Sequence, residues 1–199
     1  MKRTLYTIGF LLLSAMVFAQ PITPVNQKIL KAKEDSLKTI AKLVITDTLT
    51  EDRMKADSLF TRVLVRALQV RNSFEYPFSA VQGISILYAP DSSFRIFTWN
   101  MQYDEYYARQ RGAIQMKTPN GSLKLFPLRD VSEFTDNAID SARTASNWIG
   151  AVYYNMIKTE HNGKNYYTLF GIDFHTVRST KKWIEVLHFN QRGEPVFWG

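Results

Sequence analysis

Between residues 25 and 73 apolar side chains recur every three or four positions. In VNQKILKAKEDSLKTIAKLV, Leu30, Leu37, Ile40, Ala41 and Val44 form one stripe with lysines between them, the pattern of an amphipathic helix. Thr46-Asp47-Thr48 interrupts it. Thr48 and Glu51 then have capping-box spacing, and Glu51 and Asp52 stand where a helix N-terminus favours negative charge. The second helix presents Ala56, Phe60, Val63, Ala67 and Val70 on one stripe, carries Arg62, Arg66 and Arg71 in its second half, and ends before Pro77. We read the pair as a helical hairpin packed on its own domain, in preference to a membrane-surface or partner-binding element.

From residue 80 the period changes to two. Ile84–Tyr88 and Phe94–Trp99 flank a Pro90-Asp91-Ser92 turn; Gly112–Lys117 and Leu123–Phe126 flank Pro119-Asn120-Gly121. Ile149–Ile157 and Tyr166–Ile172 flank His161-Asn162-Gly163; Trp183–Phe189 and Val196–Trp198 flank Gln191-Arg192-Gly193. Asn-Gly between alternating runs is the strongest short hairpin signal, and it occurs twice. The pattern predicts four hairpins and up to eight strands in an antiparallel meander, with a polar loop or short helix over 131–148. Gly83, Gly112 and Gly150 each open the first strand of a hairpin, where glycine marks bends or close packing. Several strands are apolar on both faces, Ile149–Met156 and Trp183–Phe189 among them, so both faces of the sheet should be covered, one by the helices. The fold class is therefore α+β: an N-terminal pair of helices packed on a curved antiparallel β-meander of about four hairpins. Residues 20–80 form the helical segment and 81–199 the meander, in one domain. The short stretch after Gly193 predicts a sheet that stops with an apolar edge, suited to pairing with a partner strand and consistent equally with a chain that continues past Gly199 and with a short natural edge strand.

Residues 1–19 change the picture by adding an address. Lys2 and Arg3 precede an almost wholly apolar stretch from Leu5 to Ala19, and Val17-Phe18-Ala19 places small residues where signal peptidase reads, with Gln20 as the first mature residue. The stretch is shorter than the roughly 20 residues that span a bilayer. The expectation is export past the inner membrane to the periplasm or outside, with no membrane span. The chain has no cysteine, which excludes disulfides, thiolate metal sites, cysteine nucleophiles and a lipoprotein anchor. Without Lys2 and Arg3 the formal charge falls from +7 to +5, from 23 basic and 18 acidic residues. That excess is spread over both halves, so no nucleic-acid partner is expected.

Candidate chemistry is sparse. The histidines are His161 in a turn, His188 within a strand as a partly buried ring with its hydrogen bonds satisfied, and His175 just past a strand end beside Asp173. No Gly-x-Ser-x-Gly elbow, His-x-x-x-His pair, calcium loop or glycine-rich phosphate loop is present, so no cofactor or metal site is expected. Glycosidic cleavage would need two of the carboxylates Asp104, Glu105, Asp130, Asp173 and Glu185 to converge. The most suggestive cluster is Trp99-Asn100-Met101-Gln102-Tyr103-Asp104-Glu105-Tyr106-Tyr107, followed by Arg109 and Arg111. Aromatics interleaved with polar side chains suit a sugar or peptide surface, and that reading requires Tyr103 and Tyr106 to be exposed and close together.

In Tyr76-Pro77-Phe78, Phe94–Trp99, Leu125–Leu128, Trp148–Tyr154, Tyr167–Gly171 and Ile184–Leu187 the chain resembles a group of uncharacterised secreted proteins of Bacteroidetes-type bacteria. The resemblance implies export and a chain that is truncated at its C-terminus relative to that group. It implies no activity and no site residue. The expected function is a non-catalytic binding or structural module of the cell envelope with a glycan or peptide ligand. The alternatives are a periplasmic hydrolase using convergent carboxylates, Asp173 with His175 nearby, and an assembly subunit that pairs through its sheet edge.

Overall fold

The computed structural model describes residues 21–135, 141–176 and 179–198, apart from the side chains of residues 175 and 176. The proposed export signal, and the side chain of His175, lie outside the described residues. Helices α1 (Pro24–Thr46) and α2 (Thr50–Leu68) are followed by nine strands. Strands β1 (Ser85–Tyr88), β2 (Phe94–Gln102), β3 (Ala108–Met116) and β4 (Lys124–Arg129) form one antiparallel sheet in chain order. The second sheet has the order β5-β9-β8-β7-β6, from β5 (Arg143–Thr144), β6 (Val152–His161), β7 (Lys164–Thr176), β8 (Ser179–Phe189) and β9 (Pro195–Trp198).

The α+β class and all four expected hairpins are present, but the strands divide into two sheets, and the layers run helices, first sheet, second sheet. Strand β2 lies at the centre and is buried on both faces. Phe97, Trp99 and Met101 join Leu37, Phe60 and Leu64 of the helices, while Phe94 and Ile96 join Tyr153, Leu169, Leu187 and Phe197 of the second sheet. A bulge at Tyr154 resets the β6–β7 register, so that both Tyr153 and Met156 reach this second core. Burying both faces of β2 leaves it no wet face, so every residue from Phe94 to Trp99 is buried, Arg95 and Thr98 included. The outer face of the second sheet departs from the expectation of covered faces. Ile184 is 58% and Trp198 53% exposed there, because the helices pack only on the first sheet.

The expected capping box at Thr48 and Glu51 does not form. Helix α2 begins at Thr50 with Leu49 as its cap and no side-chain cap bond. The Arg53 guanidinium instead donates to the carbonyls of Asp47 (2.8 Å), Thr48 (3.0 Å) and Gln102 (3.0 Å). It thus ties the helical link to the end of β2. Buried carboxylates fasten the remaining contacts between layers. Glu34 of α1 accepts from the Tyr76 hydroxyl (2.7 Å) and the Ala80 N–H (2.9 Å). Asp57 of α2 accepts from the Trp99 indole (2.7 Å) and from Arg111 (3.1 Å). Replacing Asp57 with Ala strands the buried Trp99 N–H and should cost about 2 kcal/mol, read as a lower denaturant midpoint with an unchanged slope.

Arg95 on β2 is fully buried, and among the described residues no carboxylate is bonded to it. It donates to the carbonyls of Tyr76 (2.6 Å) and Ser73 (2.9 Å), to the Gln115 side chain (2.9 Å) and to the Tyr88 hydroxyl (2.5 Å). The rings of Phe97, Phe78, Tyr88 and Phe74 surround it at 4.8 to 5.5 Å. Burial pushes its pKa down to about 10, which still leaves it protonated at neutral pH.

The C-terminal edge also differs from expectation. Strand β8 is interior, and β9 pairs on its outer side with β5 at Phe197 and Val196. The edge that strand addition would need is therefore occupied at those two residues. Strand β5 could not be read from the sequence because two residues carry no periodicity.

Candidate functional site

A cleft of about 440 Å³ opens where the β2–β3 turn and residues 130–135 meet the β7–β8 ends. The expected aromatic cluster straddles this junction. Trp99 and Met101 belong to the helix-side core, Tyr103 packs half-buried against it, and Arg111 is held by Asp57. Residues 103–107 form the turn of a β2–β3 hairpin that has no glycine signal. Asp104 closes that turn by accepting from the N–H groups of Tyr106 (2.8 Å) and Tyr107 (2.9 Å). Thr50 of α2 fixes it from behind, donating to the Tyr103 carbonyl at 2.6 Å. The turn thereby sends Tyr106 into solvent, 78% exposed, and places Tyr107 on the cleft. The expected pairing of exposed Tyr103 with Tyr106 is corrected in one member: Tyr103 lies against the helices and stacks on Tyr107, ring centres 5.1 Å apart.

The second wall is the 130–135 loop. The buried Asp130 carboxylate accepts from the N–H groups of Gln110 (2.9 Å), Ser132 (2.9 Å) and Gly150 (3.0 Å) and from the Ser132 hydroxyl (2.5 Å). This carboxylate holds the loop in place. A Cβ on Gly150 would sit 2.4 Å from the Asp130 carboxylate, so Gly150 is glycine for close approach. Gly150→Ala should cost about 2 kcal/mol and release the loop, seen as faster amide exchange at Ser132. Glu133 accepts from the Tyr107 hydroxyl at 2.9 Å. Burial, then that bond, raises the phenol pKa, and the nearby Arg109 charge opposes the rise. Arg109 donates to the Asp130 carbonyl at 3.2 Å.

The third wall comes from the second sheet. Asp173 and Lys181 are register partners across β7 and β8, and Trp183 follows on β8 opposite Gly171. Two residues further on, Glu185 is only 2% exposed. It accepts a short hydrogen bond from the Tyr153 hydroxyl, which itself accepts from the Trp148 indole at 2.6 Å. The Trp183 N–H lies close enough to favour the Glu185 anion without meeting it in ordinary hydrogen-bond geometry. Burial raises the Glu185 pKa to about 7 against these neighbours and the Arg143 charge.

Of the five candidate carboxylates, the cleft gathers Asp130 and Asp173. Asp104 and Glu105 belong to the exposed turn, and Glu185 is enclosed in the second core's hydrogen-bond network. His161, expected in the turn, is the last residue of β6, paired with Lys164 and with its ring 3.1 Å from the Asn162 amide. His188 corrects the expectation of a satisfied ring. It lies beside Tyr166, and its buried Nδ1 has no hydrogen-bond partner among the described residues. Among those residues no three His, Asp or Glu side chains are placed to hold a metal ion, and no helix is long and apolar enough to cross a membrane.

No protein-family model, curated protein or solved structure matches the chain. Functional inference therefore rests on the cleft itself. Trp183, Lys181 and Glu133 were missed in the sequence because each reads as an ordinary strand or loop residue. Only the sheet-on-sheet packing brings them within one cavity of Tyr107. The one local signal was the Lys181-Lys182 pair immediately before the Trp183–Phe189 run. Chemically, the cleft offers aromatic surface on two sides with hydrogen-bonding groups of both charges between them.

Proposed function

We propose that this protein is an exported, non-catalytic binding module of the cell envelope whose inter-sheet cleft takes a glycan. The observation that carries the reading is Tyr106, exposed on a rigid turn, together with Tyr107 and Trp183 on the cleft among polar side chains. Aromatic surface stacks on the apolar face of a sugar ring while fixed polar groups select its hydroxyls. A peptide could use the same groups, but extended peptides commonly recruit a free strand edge. The basic start and short apolar run of residues 1–19 support export. Expression of the full chain should yield a mature N-terminus at Gln20, read by intact-mass measurement.

Titration with neutral xylo- and chito-oligosaccharides should quench Trp183 fluorescence. Tyr106→Ala and Trp183→Ala should each weaken binding about tenfold, the scale of one aromatic contact. Binding unchanged in both variants would remove the cleft from consideration. A hydrolase reading draws on one observation, that Asp130, Glu133 and Asp173 line the same cleft. It requires turnover of 4-nitrophenyl glycosides that Asp173→Asn abolishes.

A further inference from the structure

We propose that the ligand of the cleft is acidic: a sugar carrying a carboxylate, of the uronic-acid type. The inference rests on the cleft being the glycan site and adds the charge of the glycan. It follows from which hydrogen-bonding groups in the cleft are already engaged within the chain. The Asp130 carboxylate is saturated by donors from Gln110, Ser132 and Gly150. Glu133 holds the Tyr107 hydroxyl, and Asp173 is engaged by contacts of its own. Each anion of the cleft thus makes at least one interaction within the chain, Glu133 through one oxygen of an exposed carboxylate.

The cations are not. Arg109 directs one N–H to the Asp130 carbonyl, and among the described residues no other acceptor takes its remaining donors. Lys181, exposed on β8 at the opposite wall, forms no ion pair or hydrogen bond among the described residues. Two cations with open donors thus face one cavity from different sheets. A guanidinium is a planar fork matched to a carboxylate, and an ammonium adds a point charge with no directional demand. Between them Tyr107 and Trp183 supply the ring surfaces. A neutral sugar offers these donors only hydroxyls, whereas a carboxylate on the sugar offers them a charge-assisted acceptor. The lining carboxylates Asp130, Glu133 and Asp173 outnumber Arg109 and Lys181 by one formal charge, so a ligand carboxylate is favoured by direct bonds to the open Arg109 and Lys181 donors and not by the net field of the cleft.

The test uses the full chain, trigalacturonate and its fully methyl-esterified form, which lacks the charge and carries one added methyl group on each carboxyl. Calorimetry at low ionic strength should show the acid binding at least tenfold more tightly than the ester, with that margin shrinking as salt is added. Arg109→Gln should reduce the margin about tenfold, and Lys181→Gln, at an exposed position that folding does not use, should reduce it by a smaller factor. Equal binding of acid and ester, or a margin that neither variant alters, overturns the acidic-ligand inference while the cleft still binds sugar. If trigalacturonate fails to bind but neutral oligosaccharides bind and respond to Trp183→Ala, the inference falls and the glycan reading stands. If no saccharide binds, both fall.

Discussion

Arg95→Ala should lower stability by about 4 kcal/mol or more, shifting the thermal midpoint down by roughly 8–16 °C for a chain of this size. Two contributions add. Truncation leaves a cavity among Phe74, Phe78, Tyr88 and Phe97, which cannot close because they belong to different elements. It also strips the buried Tyr76 and Ser73 carbonyls of a charged donor. Lysine should restore only part of the loss, because one ammonium cannot reach Gln115, Tyr88 and two carbonyls from a single point. Differential scanning calorimetry of both variants checks this. A loss below about 1 kcal/mol for Arg95→Ala would mean that the cage closes without its cation.

The second large effect is a pH dependence centred on Glu185. Its folded pKa is raised to about 7, above the ordinary carboxylate value, because burial opposes the anion. The folded state therefore holds a proton that the unfolded chain has released, and stability is lost as pH rises from about 4.5 through 7. The loss amounts to about 3 kcal/mol and levels off above that window. Glu185→Gln keeps the shape and abolishes the titration, so it should be the more stable protein at pH 8 and lose its advantage by pH 4.5. Other groups act differently. Asp91 and Glu34 are lowered, burial being outweighed for Asp91 by bonds from Ser93, Lys158 and Tyr167 and for Glu34 by those from Ala80 and Tyr76. Their contribution is lost only as pH falls below about 4.5. His188, lowered mainly by burial and then by Lys164, favours the fold as pH rises toward 6.5 and opposes Glu185 there. Comparing Glu185→Gln with the parent protein by denaturant unfolding across pH 4–8 subtracts these shared terms. Parallel stability curves for the two proteins would show that Glu185 does not titrate in this range.

The helices and hairpins were legible because their signals are local. The stripe Leu30–Val44 and the Asn-Gly turns act within a few residues, and α1 and the β3–β4 and β6–β7 hairpins stand where they were expected. The β2–β3 hairpin was hidden because Asp104 closes its turn with a side chain where glycine would usually be sought. The capping box at Thr48 is absent because α2 begins two residues later, at Thr50, with Leu49 as its cap. In the site, Tyr106, Tyr107, Arg109 and Asp173 could be picked out by residue type. Their common cleft could not, since Lys181 and Trp183 lie more than 70 residues from the turn they face.

Sequence alone thus determined the types and order of the helices and of every strand but β5, because helix and strand periodicities are properties of neighbouring residues. Tertiary structure decided the division into two sheets, which faces are enclosed, and which charges are used up by the fold. Those outcomes depend on packing between distant segments. Arg95 and Glu185 look like surface residues until two layers close over them, and Arg109 and Lys181 become a pair only when the second sheet docks against the first.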